Sequence, residues 1–248
     1  KGTVQSDALL EYHSKLPVYM NITDGKVGDN KGAESIPLQS GSVIVADRYY
    51  NDFPMLNVWD SRGVYFVIRH KSNLKYEVTL ERELPKHHAQ NILIDQEIEL
   101  IGPLSKEKYS QKLRRVAVWD DENKQIIELI TNNFKWAAQT IGQLYKERWQ
   151  IEIFFRDIKQ LLHIKTFIGT SENAVMIQIW TALITILLLK FLKAKAKFRW
   201  HLSNLVAFIR LNCFVKINLY QWLDKPILNP EKPPPKSRQG VLNFKARI

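Results

Sequence analysis

Three stretches of the 248-residue sequence predict an α/β fold. SVIVAD, residues 42–47, is a short β-branched run that follows Gly41 and closes on an acid, the pattern of a strand buried on both faces. Between Arg62 and Asn132 the residues alternate or are rich in β-branched and aromatic types, as strands require. From Trp136 onward the apolar residues recur at helical spacing. With 45% apolar content the chain can bury a sizeable core.

In chain order, TVQSDALLEY and KLPVYMNIT read as strands, the second turning at DGK. A polar loop with a short helix around NKGAESIPL leads to SGSVIVADRYY. A buried strand ending in an acid delivers Asp47 to the C-terminal edge of the sheet, where open α/β sheets bind ligands. Asp is also a frequent helix cap after a strand, which is the plainer use of the same residue. GVYFVIRH, KYEVTLERE, ILIDQEIELIG, RRVAVWDD and KQIIELITNN, with turns at DSRG, IGPL and DDENK, form a β-rich insertion over residues 56–133. Residues 1–55 and 134–223 are then the two parts of a core that this insertion divides. WAAQTIGQLY opens the helical part. A helix in YKERWQIEIFFRDIKQ, a break at IGTSEN, a long helix in IQIWTALITILLLKFL and a shorter one near HLSNLVAFIRLN follow. Residues 224–248 are expected to form a basic, Pro-rich tail, extended or disordered rather than packed.

The stretch YKERWQIEIFFRDIKQ carries the chemistry. At about 100° per residue, Tyr145, Arg148, Glu152 and Lys159 share a sector roughly 60° wide beside a continuous apolar face of Ile151, Phe154, Phe155, Ile158, Leu161 and Leu162. An ordinary amphipathic helix with an Arg148–Glu152 pair worth a few tenths of a kcal/mol explains the column structurally. Its functional explanation is a carboxylate that binds a hard divalent cation, flanked by groups that grip a phosphate.

Composition narrows the partners. The single cysteine, Cys213, excludes a disulfide framework and a multi-thiolate zinc site; within LNCFVKI it reads as core, in a reducing, intracellular setting. The six histidines lack zinc-site spacing, and the adjacent His87 and His88 read as a solvated loop. Gln178, Thr181, Thr185 and Lys190 interrupt IQIWTALITILLLKFL short of the about 20 apolar residues of a membrane span, so it reads as a buried core helix. KGTVQSDALL has no apolar segment of a secretory signal. Residues 186–248 hold thirteen Lys and Arg against Asp224 and Glu231, a net charge equal to the +11 of the whole chain. KFLKAKAKFRWH interleaves these bases with aromatics, which suits a polyanion such as DNA. Trp136, Trp149 and Trp200 are candidates for stacking on bases, although helix-edge packing is the simpler role for Trp149.

The spacing Tyr145, Arg148, Glu152, Lys159, written Y-x2-R-x3-E-x6-K, resembles the YREK signature of the fourth insertion-sequence (IS4-like) family of bacterial DDE transposases. VADRYY resembles the family's strand ending in the second catalytic Asp. KLPVYMNITDGKVGDNKGA, FFRDIKQLLHIKTFIGTSENAV and IQIWTALI resemble its flanking blocks, so the resemblance covers nearly the whole chain. It implies a ribonuclease-H-like mixed sheet with flanking helices, interrupted by the β-rich insertion. It also implies metal-dependent phosphodiester cleavage and strand transfer in cut-and-paste DNA transposition. Carried over by position, Asp47 and Glu152 are catalytic metal ligands, and Tyr145, Arg148 and Lys159 contact DNA phosphates. The implied cofactor is two Mg²⁺ ions, for which Mn²⁺ substitutes. The implied partners are double-stranded DNA, as terminal inverted repeats and target, and a second copy in a homodimer on paired ends. The implied setting is the bacterial cytoplasm at the nucleoid, away from membranes. The family's first strand and first catalytic Asp are expected upstream of Lys1, and neither Asp7 nor Asp24 lies where it could replace that Asp. The alternative is a truncated, inactive remnant that only binds DNA.

Overall fold

Alternation along each strand sorts side chains to two faces, and the protein covers both. The computed structural model describes residues 4–24, 36–84, 91–161, 169 and 171–226. The chain divides into two compact units, residues 1–156 and 157–248.

The first unit begins with a hairpin, β1 (Val4–Leu10) against β2 (Pro17–Asp24). Its turn is pinned by the Glu11 carboxylate, which accepts from the backbone N–H of His13 at 2.9 Å and of Ser14 at 2.6 Å. A mixed six-stranded sheet follows, built from β3 (Val43–Ala46), β4 (Tyr65–Arg69), β5 (Tyr76–Glu81), β6 (Ile92–Leu100), β7 (Leu113–Asp120) and β8 (Gln125–Thr131) in the order β3-β4-β8-β7-β6-β5. Only β3 and β4 are parallel; every other neighbouring pair is antiparallel. A parallel pair needs a crossover, supplied by α1 (Phe53–Ser61). Residues expected in the core and residues expected in the insertion therefore share one sheet, and the expected boundary between residues 55 and 56 falls inside α1.

On one face, Phe66 and Ile68 of β4, Ile98 and Leu100 of β6, Leu113 and Ile130 pack under Met55, Leu56 and Trp59 of α1 and under Tyr109. On the other, Val67, Ile92, Val116, Val118 and Leu129 meet Ala138, Ile141 and Tyr145 of α3 (Ala138–Lys146). This is a sheet sandwiched by helices, a mixed α/β architecture consistent with the ribonuclease-H-like expectation. Gly142 permits the close approach of α3, because a Cβ there would stand 3.2 Å from Val118 Cγ2.

The approach to α3 is clamped by two arginines. Arg114 makes a two-pronged bond to Asp95, both contacts 2.7 Å, and donates through Nη1 to the carbonyls of Asn133 at 3.3 Å and Trp136 at 2.6 Å. Arg82 donates to the Phe134 carbonyl at 3.0 Å.

Several expectations change. Helix α1 was not foreseen. Asp52 caps it through Met55 N–H and Pro54 sits in its first turn, but its apolar residues are too few to stand out as a period. DSRG is the end of this helix, with Gly63 at φ +72°. Short α2 (Pro103–Lys108) lies where only a turn was expected at IGPL, and Arg48–Tyr50 form a 3-10 turn rather than a strand extension. Most of the loop around NKGAESIPL, with its expected short helix, lies outside the described residues, and so do His87, His88 and nearly all of the C-terminal tail.

Helix α4 (Trp149–Leu161) runs past residue 156, and the second unit continues with α5 (Glu172–Lys195), α6 (Leu202–Asn212) and α7 (Leu219–Asp224). Trp200 is buried with Leu205 and Leu223 and donates its indole N–H to the Leu223 carbonyl at 2.8 Å, a packing role rather than a stacking platform. Two expectations fail along α5 and α6. Cys213 is exposed: it caps the end of α6, where LNCFVKI leaves the helix and has no periodic face to bury. Helix α5 is not buried all round. Val175, Ala182, Leu183, Ile186 and Leu189 form its buried face, while Ile177, Ile184 and Leu188 on the other side are more than half exposed. By length and composition alone α5 is apolar enough to cross a membrane.

Candidate active site

Strand β3 ends at Ala46, and Asp47 leaves the sheet at the C-terminal edge. Its carboxylate caps the 3-10 turn by accepting from Arg48 N–H. Because β4 is parallel to β3, Arg69 and His70 leave by the same edge.

The stretch from Tyr145 to Gln160, expected as one helix, is two. Helix α3 ends at Lys146 and α4 starts at Trp149. Between them the backbone tightens to i→i−3 bonds: Arg148 N–H to the Tyr145 carbonyl at 3.0 Å, and Ile151 N–H to that of Arg148 at 3.2 Å. In this tighter winding, side chains three apart eclipse. The Arg148 guanidinium accordingly lies over the Tyr145 ring, 5.7 Å from its centre. Tyr145 and Arg148 therefore still align, by a different geometry from that of a regular helix.

From this junction Arg148 reaches both carboxylates. Its Nη1 is 2.8 Å from Glu152 Oε1 and 3.6 Å from Asp47 Oδ2. Burial alone would lower the pKa of Arg148, but Tyr145, Glu152 and Asp47 raise it above the usual value, so the guanidinium stays charged. Burial raises the Tyr145 pKa, with a further push from Asp47 and an opposing pull from Arg148 and Arg69, so this phenol stays neutral. Glu152 lies in the first turn of α4, where the helix dipole favours a negative charge.

Four of the five predicted site residues thus converge: Asp47, Tyr145, Arg148 and Glu152. Lys159 is exposed on α4, beyond residue 156. Trp149 stands half exposed at the start of the same helix.

Beside the cluster lies a cavity of about 250 Å³. It is lined by the consecutive residues Asp7 to Leu10 of β1 and by Val43 to Asp47, at the end of β3. Side chains on a strand alternate between faces, so a cavity touched by every residue in turn must run along the backbone edge. Among the described residues β1 pairs only with β2, and β3 only with β4. Tyr65 N–H donates to the Ser42 carbonyl, so Ile44 and Ala46 also face β4. Val43 and Val45 then turn their N–H and C=O groups to the cavity. The cavity is a slot between two free strand edges.

Side chains bridge this slot. Tyr50 Oη donates to Asp7 Oδ1 at 3.0 Å, and Lys15 pairs with Glu147 at 2.7 Å. Tyr50 and Arg69 escaped sequence reasoning, and Asp7 was weighed there only as a substitute for the first catalytic Asp. For Arg69 a signal existed, its place at the end of a strand parallel to the one that ends before Asp47. The place of Asp7 on the slot had no signal in the sequence, since it follows from the hairpin meeting β3.

Among the described residues, two carboxylates and no third acid converge on Arg148, and no group of three or more His, Cys, Asp or Glu is arranged to hold a metal ion. The donors fit a hard cation: both are carboxylates, each near half exposed, with Arg148 now supplying the balancing charge.

Comparison with known proteins adds a family. A family model described as the transposase DDE domain matches residues 1–188. A transposase of Sinorhizobium fredii is 33% identical over 178 residues, 71% of this chain and 50% of that protein. One for an insertion sequence of Geobacillus stearothermophilus is 32% identical over 188 residues, 75% of this chain and 48% of that protein. A third, for an insertion sequence of a Synechocystis species, is 27% identical over 208 residues, 81% and 55% of the two chains. The chain spans about half the length of these relatives.

Proposed function

The chain belongs to the DDE-domain transposases, and from that premise we propose that it is the catalytic part of a DNA transposase of the IS4-like type that cleaves phosphodiesters at the ends of a mobile element and joins them to target DNA. DDE domains generally use divalent metal ions. The observation that carries the proposal is Arg148 Nη1 lying between Asp47 and Glu152, which come from elements a hundred residues apart. Nothing in the packing of an ordinary amphipathic helix calls for that convergence.

In this reading Asp47 and Glu152 hold the metal, and Tyr145, Arg148 and Lys159 contact phosphates at the element's end. Mg²⁺, with Mn²⁺ as a substitute, would supply an activated water or 3′-hydroxyl and stabilise the departing oxygen. Mg²⁺ is commonly held by one or two carboxylates together with substrate phosphates, so these two residues suffice for one ion. A second ion needs a further donor. The slot between β1 and β3 supports a place for it: an extended strand seated there would pair with both free edges and end beside Asp47. Arg148 keeps the two acids together until DNA phosphate draws its guanidinium away. The substrates are the terminal inverted repeats and a target duplex, the working form is a homodimer on paired ends, and the place of action is the bacterial nucleoid.

The test is cleavage of a labelled duplex bearing the element's ends, with Mg²⁺, by the polypeptide extended to the length of its relatives. Asp47→Ala and Glu152→Ala should each cut activity by about 10²–10³-fold, the scale of losing one preorganised electrostatic group. Full activity in both variants overturns the assignment. The shortage of converging carboxylates supports a second reading, a remnant that binds DNA without cutting it. Salt-sensitive duplex binding by the extended chain, with no cleavage in Mg²⁺ or Mn²⁺, would establish that reading instead.

A further inference from the structure

A second cavity, about 420 Å³, opens in the same unit, beside the turn that follows Asp47. Its wall includes Asn51 and Asp52 from that turn, Lys71 and Lys75 from the loop after β4, and Lys108 at the end of α2. It plays no part in the site described above.

Its charge is one-sided. Asp52, the one acid in the wall, is occupied in capping α1, accepting from Met55 N–H at 3.2 Å. Lys71 Nζ donates to the Asn51 carbonyl at 3.2 Å, which ties the two loops together at the cavity. Lys75 and Lys108 have no ion pair among the described residues. A concave site with three ammonium groups and an acid already committed attracts an anion.

Asn51 supplies a second observation. It is only 6% exposed, and both its side-chain amide atoms, Nδ2 and Oδ1, lack any hydrogen-bond partner. Buried amides are nearly always satisfied, so an orphan on a cavity wall calls for a missing partner. An Nδ2 donor suits an anionic oxygen, and an Oδ1 acceptor suits a lysine ammonium brought in with it.

Topology identifies the anion. Asn51 follows Asp47 by four residues, a reach of at most about 14 Å. Lys71 lies two residues beyond β4, the parallel neighbour of β3, so it shares the sheet edge with Asp47. At about 3.4 Å of rise per nucleotide, that reach covers roughly four steps of a duplex.

We propose that Asn51, Lys71, Lys75 and Lys108 form a binding site for a backbone phosphate of the DNA strand, about four nucleotides or fewer from the phosphate handled at Asp47. The inference rests on the DNA reading given under Proposed function. Its test uses binding without metal, so that failure of the cavity and failure of that reading are told apart.

The polypeptide extended to the length of its relatives is titrated with a duplex of about 20 base pairs in EDTA, across roughly 0.05–0.2 M salt. It is compared with the triple variant Lys71→Gln, Lys75→Gln, Lys108→Gln, and with Arg62→Gln, a charge loss at the opposite end of β4. The triple variant should bind about eightfold more weakly at about 0.1 M salt and lose about one from the slope of log affinity against log salt, the signature of one phosphate contact. Arg62→Gln should match the unaltered chain. The Asn51 side-chain amide resonance should shift with the duplex, and inorganic phosphate should compete for that shift. Equal binding by the triple variant, or equal weakening by Arg62→Gln, overturns the inference while leaving DNA binding intact. A shift with inorganic phosphate and none with duplex assigns the cavity to a free anion and overturns the DNA contact. A chain that binds no duplex overturns the DNA reading itself, and the inference with it.

Discussion

Two arginines in the first unit each face carboxylates, and they do so in opposite ways. Arg114 is 1% exposed, meets Asp95 through two parallel 2.7 Å bonds and spends its remaining Nη on two carbonyls. Arg148 meets two acids through one nitrogen, at 2.8 and 3.6 Å, with all three side chains open to solvent. A saturated, dry ion pair has no capacity left for a ligand. A loose, wet one can exchange its cation for a metal or its acids for a phosphate with little reorganisation. The first holds structure in place, including the segment that leads into α3 and so to Tyr145; the second is where chemistry can occur.

The sharpest way to break this contrast is to make the same change at both. Arg114→Gln leaves Asp95 buried without its main cation, which should cost about 3–5 kcal/mol of unfolding free energy. Denaturant unfolding measures it, and a change below about 1 kcal/mol would remove the distinction between Arg114 and Arg148. Arg148→Gln should cost at most about 1 kcal/mol, because water screens its partners. The same variant sharpens the comparison in a second way. With the guanidinium gone, the two acids repel unless a cation replaces it, so Mg²⁺ should raise the melting temperature of Arg148→Gln more than that of the unaltered chain. An equal or smaller rise would show that Asp47 and Glu152 do not share an ion.

The same contrast explains what the sequence could convey. All eight strands among the described residues were legible, because alternation and β-branching are local signals. Asp47 and the tetrad Tyr145, Arg148, Glu152, Lys159 were visible as residue types at meaningful places. The convergence of Asp47, Tyr145, Arg148 and Glu152 was legible only through the family resemblance, because its geometry depends on the tightened junction at Glu147 and Arg148, which no helix wheel includes. Helix α1 hid behind Pro54 and its short length. The exposure of Cys213 and of one face of α5 escaped for a related reason: an apolar run signals burial only when a partner surface exists to meet it. The Arg114–Asp95 clamp left no trace at all, since two charged residues on adjacent strands look like solvated ladder positions until the segment from Asn133 to Trp136 folds over them.

A third charged cluster lies between these extremes and sets the finest test. On β8, Glu128 accepts from Arg115 Nη2 at 2.7 Å and Nε at 3.0 Å, and also faces the His70 ring. Burial alone would raise the Glu128 pKa, but His70 and Arg115 outweigh it and hold the carboxyl below its ordinary value. A carboxyl depressed in the folded state adds stability above its unfolded pKa, and that contribution disappears as pH falls through the lower, folded value. Acid should therefore remove a contribution from the unaltered chain that Glu128→Gln never has, so the two stabilities should converge as pH drops below the ordinary carboxylate range. The side chain is 35% exposed, so screening limits the difference near neutral pH to less than about 1 kcal/mol. Parallel pH profiles for the two proteins would mean that Glu128 is solvated like the acids at Arg148, and that burial does not grade these three clusters as the contrast between Arg114 and Arg148 requires.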